Sequence, residues 1–181
     1  TILRVSVHVT GAGRTDTGVN AVNYIAHFDL DEGEIPQAGH LSYKLNAILP
    51  RELAVLSVNR VRDDFHARFD ATKREYTYYL HRVKDPFVES FSYFCAYPVL
   101  DFDKMNRAAA KLIGRRDFRC FEKSGADSKT SICTVSEARW TPYEPTVHAA
   151  RRLDGEGKPL PDYWYFRISA DRFLRNMVRA V

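Results

Sequence analysis

The sequence predicts an α+β fold with mainly antiparallel sheet. Several short stretches alternate apolar and polar residues with the two-residue period of a strand, and they outnumber the stretches with helical spacing. Neighbouring strand-like stretches are joined by short turn-rich segments, as in hairpins, which favours antiparallel pairing over crossover connections.

The elements follow in order. Val5, Val7 and Val9 alternate with Ser6 and His8, which reads as a strand over Val5–Val9. The glycine-rich run Gly11–Gly18 makes a turn, and Asn23–Phe28 reads as the returning strand. Pro36 opens a helix through Leu41, Leu45 and Ile48, and Pro50 ends it. Leu53–Val61 is strand-like. Asp70–Val83 is a long strand with Tyr76, Tyr78 and Leu80 on one face and Thr77 and Tyr79 on the other. Asp101 or Asp103 caps a helix that runs to Ile113, with Gly114 at its C-terminal end. Val135–Trp140 and Tyr163–Ser169 are two further strands, with the polar, Gly- and Pro-bearing loop Arg151–Asp162 between them. The chain closes on a helical pattern from about Asp171, apolar at Leu174, Met177, Val178 and Val181.

A length of 181 residues with 45% hydrophobic and 28% charged content is globular and allows one large domain or two small ones. The charged turn Arg62-Asp63-Asp64 is the predicted boundary, giving domains over 1–62 and 63–181. No apolar run is long enough to span a bilayer, and the first residues form no signal peptide. Cys95, Cys120 and Cys133 are widely spaced and odd in number, without CxxC pairing. They read as small buried hydrophobes or bystanders, not as a disulfide framework or a zinc site, and a reducing cytoplasm fits them.

The net charge of +4 is mild, but it is unevenly spread. Lys104, Arg107, Lys111, Arg115, Arg116 and Arg119 form one basic stretch, and Arg172, Arg175 and Arg179 form another. Such runs are usually solvated helix faces. Beside many aromatics they also suit a nucleic-acid partner.

The run Gly13-Arg14-Thr15-Asp16-Thr17-Gly18 is the strongest chemical signal. Glycines at both ends permit tight or left-handed backbone and close approach of another chain. Asp16 can bond its own backbone in an Asx turn. Alternatively, it is a reactive carboxylate, since a guanidinium such as that of Arg14 favours the ionised form that a nucleophile or cation-stabilising group requires. The run lacks the Lys-Ser/Thr ending of a phosphate-binding loop and puts an anion at its centre, so phosphate cradling is set aside.

The run Gly11–Ala21 closely resembles the signature of the TruA family of tRNA pseudouridine synthases. Three further blocks match that family in order: Asp64-Phe65-His66-Ala67-Arg68-Phe69-Asp70-Ala71-Thr72, Lys73-Arg74-Glu75-Tyr76-Thr77-Tyr78, and Phe173-Leu174-Arg175-Asn176-Met177-Val178-Arg179. The resemblance implies that Asp16 is the essential aspartate and Arg14 its neighbouring arginine. It also implies that Tyr76 lies against the target base and that Arg179 pairs with the catalytic carboxylate. His66, Arg68, Arg172 and Arg175 are then candidate RNA contacts, Arg172 and Arg175 sharing a helical face with Arg179. Asn20 departs from the histidine common in the family, a change expected to touch loop or RNA contacts and not the chemistry. The fold implied is two ferredoxin-like domains with an RNA-binding catalytic cleft between them. The implied partners are tRNA, modified in the anticodon stem-loop at nucleotides thirty-eight to forty, and a second copy in a homodimer. No cofactor, metal or membrane is implied. Family members carry a Tyr-Asp-Gly strand and a helix before the position of Thr1 and continue past Arg179, so the chain is expected to be truncated at both ends.

Overall fold

In the computed structural model, residues 2–3, 5–30, 38–125, 129–146 and 152–181 are described. They divide into two compact units, 1–71 and 72–181. The architecture is α+β, with two sheets and three α-helices among the described residues.

The first unit has little regular structure. Strands β1 (Thr10–Gly11) and β2 (Ala26–His27) pair antiparallel, Thr10 opposite His27 and Gly11 opposite Ala26. The strands expected over Val5–Val9 and Asn23–Phe28 thus shrink to this two-residue ladder. Val5 and Val9 are exposed, so their alternation buries no face that would hold a longer pairing. Helix α1 (Ala38–Ile48) forms as expected and turns its Leu41 inward, whereas Pro36 lies outside the described residues. Leu53–Val61 is not a strand. Instead the Asn46 side-chain amide takes both backbone groups of Val55, donating to its carbonyl at 2.8 Å and accepting from its N–H at 2.7 Å. An amide side chain here satisfies the peptide that a neighbouring strand would otherwise pair.

The second unit is a five-stranded sheet in the order β4–β3–β7–β6–β5, comprising β3 (Arg74–His81), β4 (Tyr93–Phe94), β5 (Gly114–Asp117), β6 (Ile132–Pro142) and β7 (Tyr163–Ala170). All its pairings are antiparallel except β3 with β4. Period-two patterning identified β3, β6 and β7; β4 and β5 were not anticipated, being too short to show a period. Val135 in β6 faces Ala170, while Glu137 faces Ser169, so Ser136 is an extra, bulged residue. The bulge changes which parity faces inward: Cys133 and Val135 are buried before it, Ala138 after it.

Helix α2 (Phe102–Ala110) packs on that face. Asp101 caps it, accepting from the Lys104 N–H at 2.8 Å. The expected continuation to Ile113 tightens instead into bonds spanning three residues, from Lys111, Leu112 and Ile113 to Ala108, Ala109 and Ala110. Gly114, at φ +104°, then turns the chain into β5. Phe102 stacks on Trp164 with centroids 3.7 Å apart, and Asn106 pairs the Trp140 backbone through both its amide atoms. Ile168, Met177, Phe118 and Val135 are almost completely enclosed in the resulting core. Cys95 and Cys133 are buried and Cys120 is exposed; all three are free thiols.

The helix expected from Asp171 is also shorter, since α3 spans only Met177–Ala180. Asn176 before it has φ +71°, a left-handed conformation that no α-helix continues through. Arg172 and Arg175 therefore do not share a helical face with Arg179. Leu174 and Met177, on either side of the turn tip, are both enclosed.

Candidate active site

The Asp16 loop begins where β1 ends. The Ala12 N–H bonds the Ile25 carbonyl at 2.9 Å, closing the ladder. The Tyr24 hydroxyl then braces Gly13, accepting from its N–H at 3.1 Å and donating to its carbonyl. Gly11 makes this possible, because a Cβ there would sit 2.9 Å from Tyr24 Cε1. Further on, the Val19 N–H donates to the Asp16 carbonyl at 3.2 Å, with Gly18 at φ +82° in the third position of that turn. Backbone atoms and a glycine close the turn, and the side chains of Arg14 and Asp16 are exposed on it.

A second turn in the same unit carries His66 and Arg68. Asp70 organises it, accepting from the His66 N–H and from Arg62, both at 2.8 Å. His66 Nδ1 accepts from the backbone N–H groups of Arg68 at 3.2 Å and Phe69 at 3.4 Å, so the ring serves the turn itself. His27 of β2 accepts from the Ala67 N–H at 3.2 Å and lies against His66, centroids 4.9 Å apart. Arg68 is exposed, its guanidinium 5.9 Å from the Phe69 ring centre. Tyr24 and His27, which brace these two turns, were not singled out from the sequence; each acts through partners that only folding brings near.

In the second unit, Tyr76 lies opposite Ile168 of β7 and is half-buried. The edge of its ring meets Phe173, centroids 5.3 Å apart. The segment bearing Phe173 starts at Asp171, whose carboxylate accepts from the N–H groups of Thr134 at 2.8 Å and Arg172 at 2.7 Å. Burial pushes its pKa up, but these bonds outweigh burial and hold it below the ordinary value. The Arg74 guanidinium donates to the Asp171 carbonyl at 3.0 Å, tying the start of β3 to the same segment.

Leu174–Met177 then forms a tight turn, with the Met177 N–H on the Leu174 carbonyl at 3.1 Å. Arg175 and Asn176 occupy its exposed tip, and Arg179 is exposed on α3. Arg14, Asp16, His66 and Arg68 thus belong to the first unit, and Tyr76, Arg172, Arg175 and Arg179 to the second. Among the described residues, no group of His, Cys, Asp or Glu is arranged to hold a metal ion, and no helix is long and apolar enough to cross a membrane.

A family model described as tRNA pseudouridine synthase matches residues 108–181. The chain is 45% identical over 181 residues to tRNA pseudouridine synthase A of Porphyromonas gingivalis, covering 100% of this chain and 66% of that protein. The Bacteroides fragilis protein of the same name is also 45% identical, with 100% and 65% covered. That of Chlorobaculum tepidum is 36% identical, with 98% and 64% covered. The chain therefore spans slightly less than two thirds of the length of these curated relatives. Likeness at this level, running from the Asp16 loop through the Tyr76 strand to Arg179, makes the chain a member of the TruA family of tRNA pseudouridine synthases.

Proposed function

We propose that the full-length protein isomerises uridine to pseudouridine in the anticodon stem-loop of tRNA, at nucleotides thirty-eight to forty, with Asp16 as the essential carboxylate. The observation that carries this reading is the 45% identity to proteins named tRNA pseudouridine synthase A along the whole chain. The braced, glycine-flanked loop supports the choice of Asp16, since it exposes that side chain while its backbone closes the turn.

In this reading the target uridine leaves the stack, at a cost of a few kcal/mol. Tyr76 offers a platform for the extruded base, and base–aromatic stacking contributes about 1–3 kcal/mol. The C–N glycosidic bond breaks, the uracil turns over, and a C–C bond forms from its C5. C5 loses a proton and the freed N1 gains one, so the reaction balances without redox or an external group. Positive charge that develops on the ribose is stabilised by a carboxylate near C1′, the role given to Asp16. Arg179 pairs with that carboxylate, its planar fork suited to both oxygens, and Arg14 supports it. Arg68, Arg172, Arg175 and His66 contact the RNA or hold the turns that do.

Each of the two units corresponds, in this reading, to a ferredoxin-like domain. The enzyme works as a homodimer in the cytoplasm, one tRNA spanning both subunits. Incubating the full-length protein with tRNA and analysing the nucleosides tests the proposal. Pseudouridine supports it. Unchanged uridine with intact binding would make the protein an RNA-binding module, and free uracil an N-glycosidic-bond hydrolase.

A further inference from the structure

The basic residues of the second unit differ in what already neutralises them. Arg119 is paired with Asp117 through Nη2 at 2.6 Å, and bonds from Arg119 and Ser131 bring the Asp117 carboxyl down to about 2. Lys104 is paired with Asp101 at 3.2 Å, and Arg116 donates to the Ile113 carbonyl at 3.1 Å. Lys123 and Arg175 are both exposed and have no carboxylate partner among the described residues. Of the acids close in the chain, Asp171 holds the N–H groups of Thr134 and Arg172, and one Glu122 oxygen is enclosed without a hydrogen-bond partner among the described residues.

The fold joins these two cations although 51 residues separate them in the chain. The Lys123 N–H donates to the Arg175 carbonyl at 3.0 Å, so the two side chains spring from bonded backbones. That carbonyl belongs to the tip of the Leu174–Met177 turn, whose flanking residues Leu174 and Met177 are 4% and 0% exposed. The tip is thus anchored on both sides and pinned at its centre, which lowers the ordering cost of binding. A guanidinium and an ammonium that spring from bonded backbones, without a carboxylate partner among the described residues, suit a phosphate diester. Arg175 is also two residues from Phe173, whose ring touches Tyr76.

We infer that Lys123 and Arg175 form a paired seat for one stretch of RNA phosphate backbone, holding the substrate beside the Tyr76–Phe173 pair. This rests on the proposed tRNA-modifying activity. It adds Lys123 as a positioning residue and separates Arg175 from Lys104 and Arg119, which are paired with carboxylates.

The test uses the full-length protein and measures tRNA dissociation constants over a series of salt concentrations, with nucleoside analysis alongside. Each phosphate contact contributes a log–log slope of about 0.7–0.9, depending on whether the RNA is single- or double-stranded there. Lys123→Ala and Arg175→Ala should each shallow the slope by about that amount, and the double variant by about twice it. Arg119→Ala should leave the slope unchanged, because Asp117 already neutralises that side chain. Lys123→Arg should restore the slope, which a merely structural role for the backbone bond would not require. The inference is overturned if the double variant, with an unchanged melting curve, keeps the wild-type slope. It is also overturned if Arg119→Ala shallows the slope as much as Lys123→Ala. A wild-type protein that forms no pseudouridine while the slopes shift as expected would sink the activity and leave the seat. Pseudouridine formation with unmoved slopes would do the reverse.

Discussion

The two units hold their candidate site residues by different means. In the second, Tyr76 and the Asp171–Arg179 segment rest on a core whose members, such as Ile168 and Met177, are almost completely enclosed. In the first, Leu41 and Ala67 are the only fully buried hydrophobic residues among those described, and the Asp16 loop depends on the bonds of Tyr24 to Gly13, on the Val19 N–H and on the short ladder. Sheet packing gives the second unit its rigidity, whereas turn chemistry sets the candidate catalytic loop of the first. Mutations should therefore separate chemistry from stability along the boundary between the units.

The largest effect expected is on chemistry alone. Asp16→Asn should lower pseudouridine formation by about 10⁴-fold or more while leaving the melting curve of the protein unchanged. Appreciable turnover by that variant, read by nucleoside analysis, would remove the assignment of the carboxylate. Next comes a test of packing. Ile168→Ala should cost about 2–5 kcal/mol in denaturant unfolding, because it opens a cavity at a side chain that is 1% exposed. Leu56→Ala, at a side chain 77% exposed in the first unit, should cost less than about 0.5 kcal/mol. Equal costs would erase the contrast between the units.

Tyr76 tests whether a residue can serve both purposes. Tyr76→Leu should weaken capture of the base by about 1–3 kcal/mol in kcat/KM. A variant that loses stability but keeps its kinetics would leave Tyr76 as no more than a packing partner of Phe173. Asn176 offers a test by sign. In a continuous helix, Asn176→Ala would stabilise and Asn176→Gly would destabilise. At φ +71° the order reverses: Ala should cost about 1 kcal/mol and Gly almost nothing, measured as shifts in the unfolding midpoint.

The smallest effect depends on pH. Glu75 accepts from Lys73 and Ser169 and lies near Arg167; these contacts outweigh burial and hold its carboxyl below its ordinary value of 4.5. A lowered folded-state pKa means stability that is present above about pH 4.5 and lost as pH falls through the lowered value. Glu75→Gln should therefore be less stable than wild type at neutral pH, by less than about 1 kcal/mol because the site is solvent-screened. The difference should vanish in acid unfolding series below that range. A difference that persists at low pH would assign the effect to packing instead of charge.

Much of the second unit was legible from its residues. Arg74–His81, Ile132–Pro142 and Tyr163–Ala170 alternate strongly enough to mark strands, and Asp101 and Gly114 mark the ends of a helical segment, by cap geometry and by a left-handed turn. The failures have distinct causes. Leu53–Val61 has strand composition, but an asparagine side chain takes up its central backbone groups. The segment from Asp171 has helical spacing, yet its apolar positions are reached by a turn, which periodicity cannot distinguish from a helix over so few residues. In β6 the bulge at Ser136 shifts the inward parity, so no single period describes the strand. Of the candidate site residues, Asp16 was visible because glycines frame it. Its brace Tyr24 was not, since a hydroxyl's acceptor eleven residues away leaves no local pattern.

By itself, then, the sequence determined the α+β class, the long strands of the second unit and the ordered blocks that place the chain in its family. Each of these is written in residues close together, as period, composition or unbroken motif. Tertiary structure alone decided that Asn176 breaks the last helix, that Asp117 silences Arg119, and that Lys123 stands beside Arg175. The last two turn on where a partner finally lies, and the first on the left-handed backbone of Asn176 between the enclosed Leu174 and Met177. Burial and electrostatic pairing act through space, so their outcome appears only when distant segments have been packed.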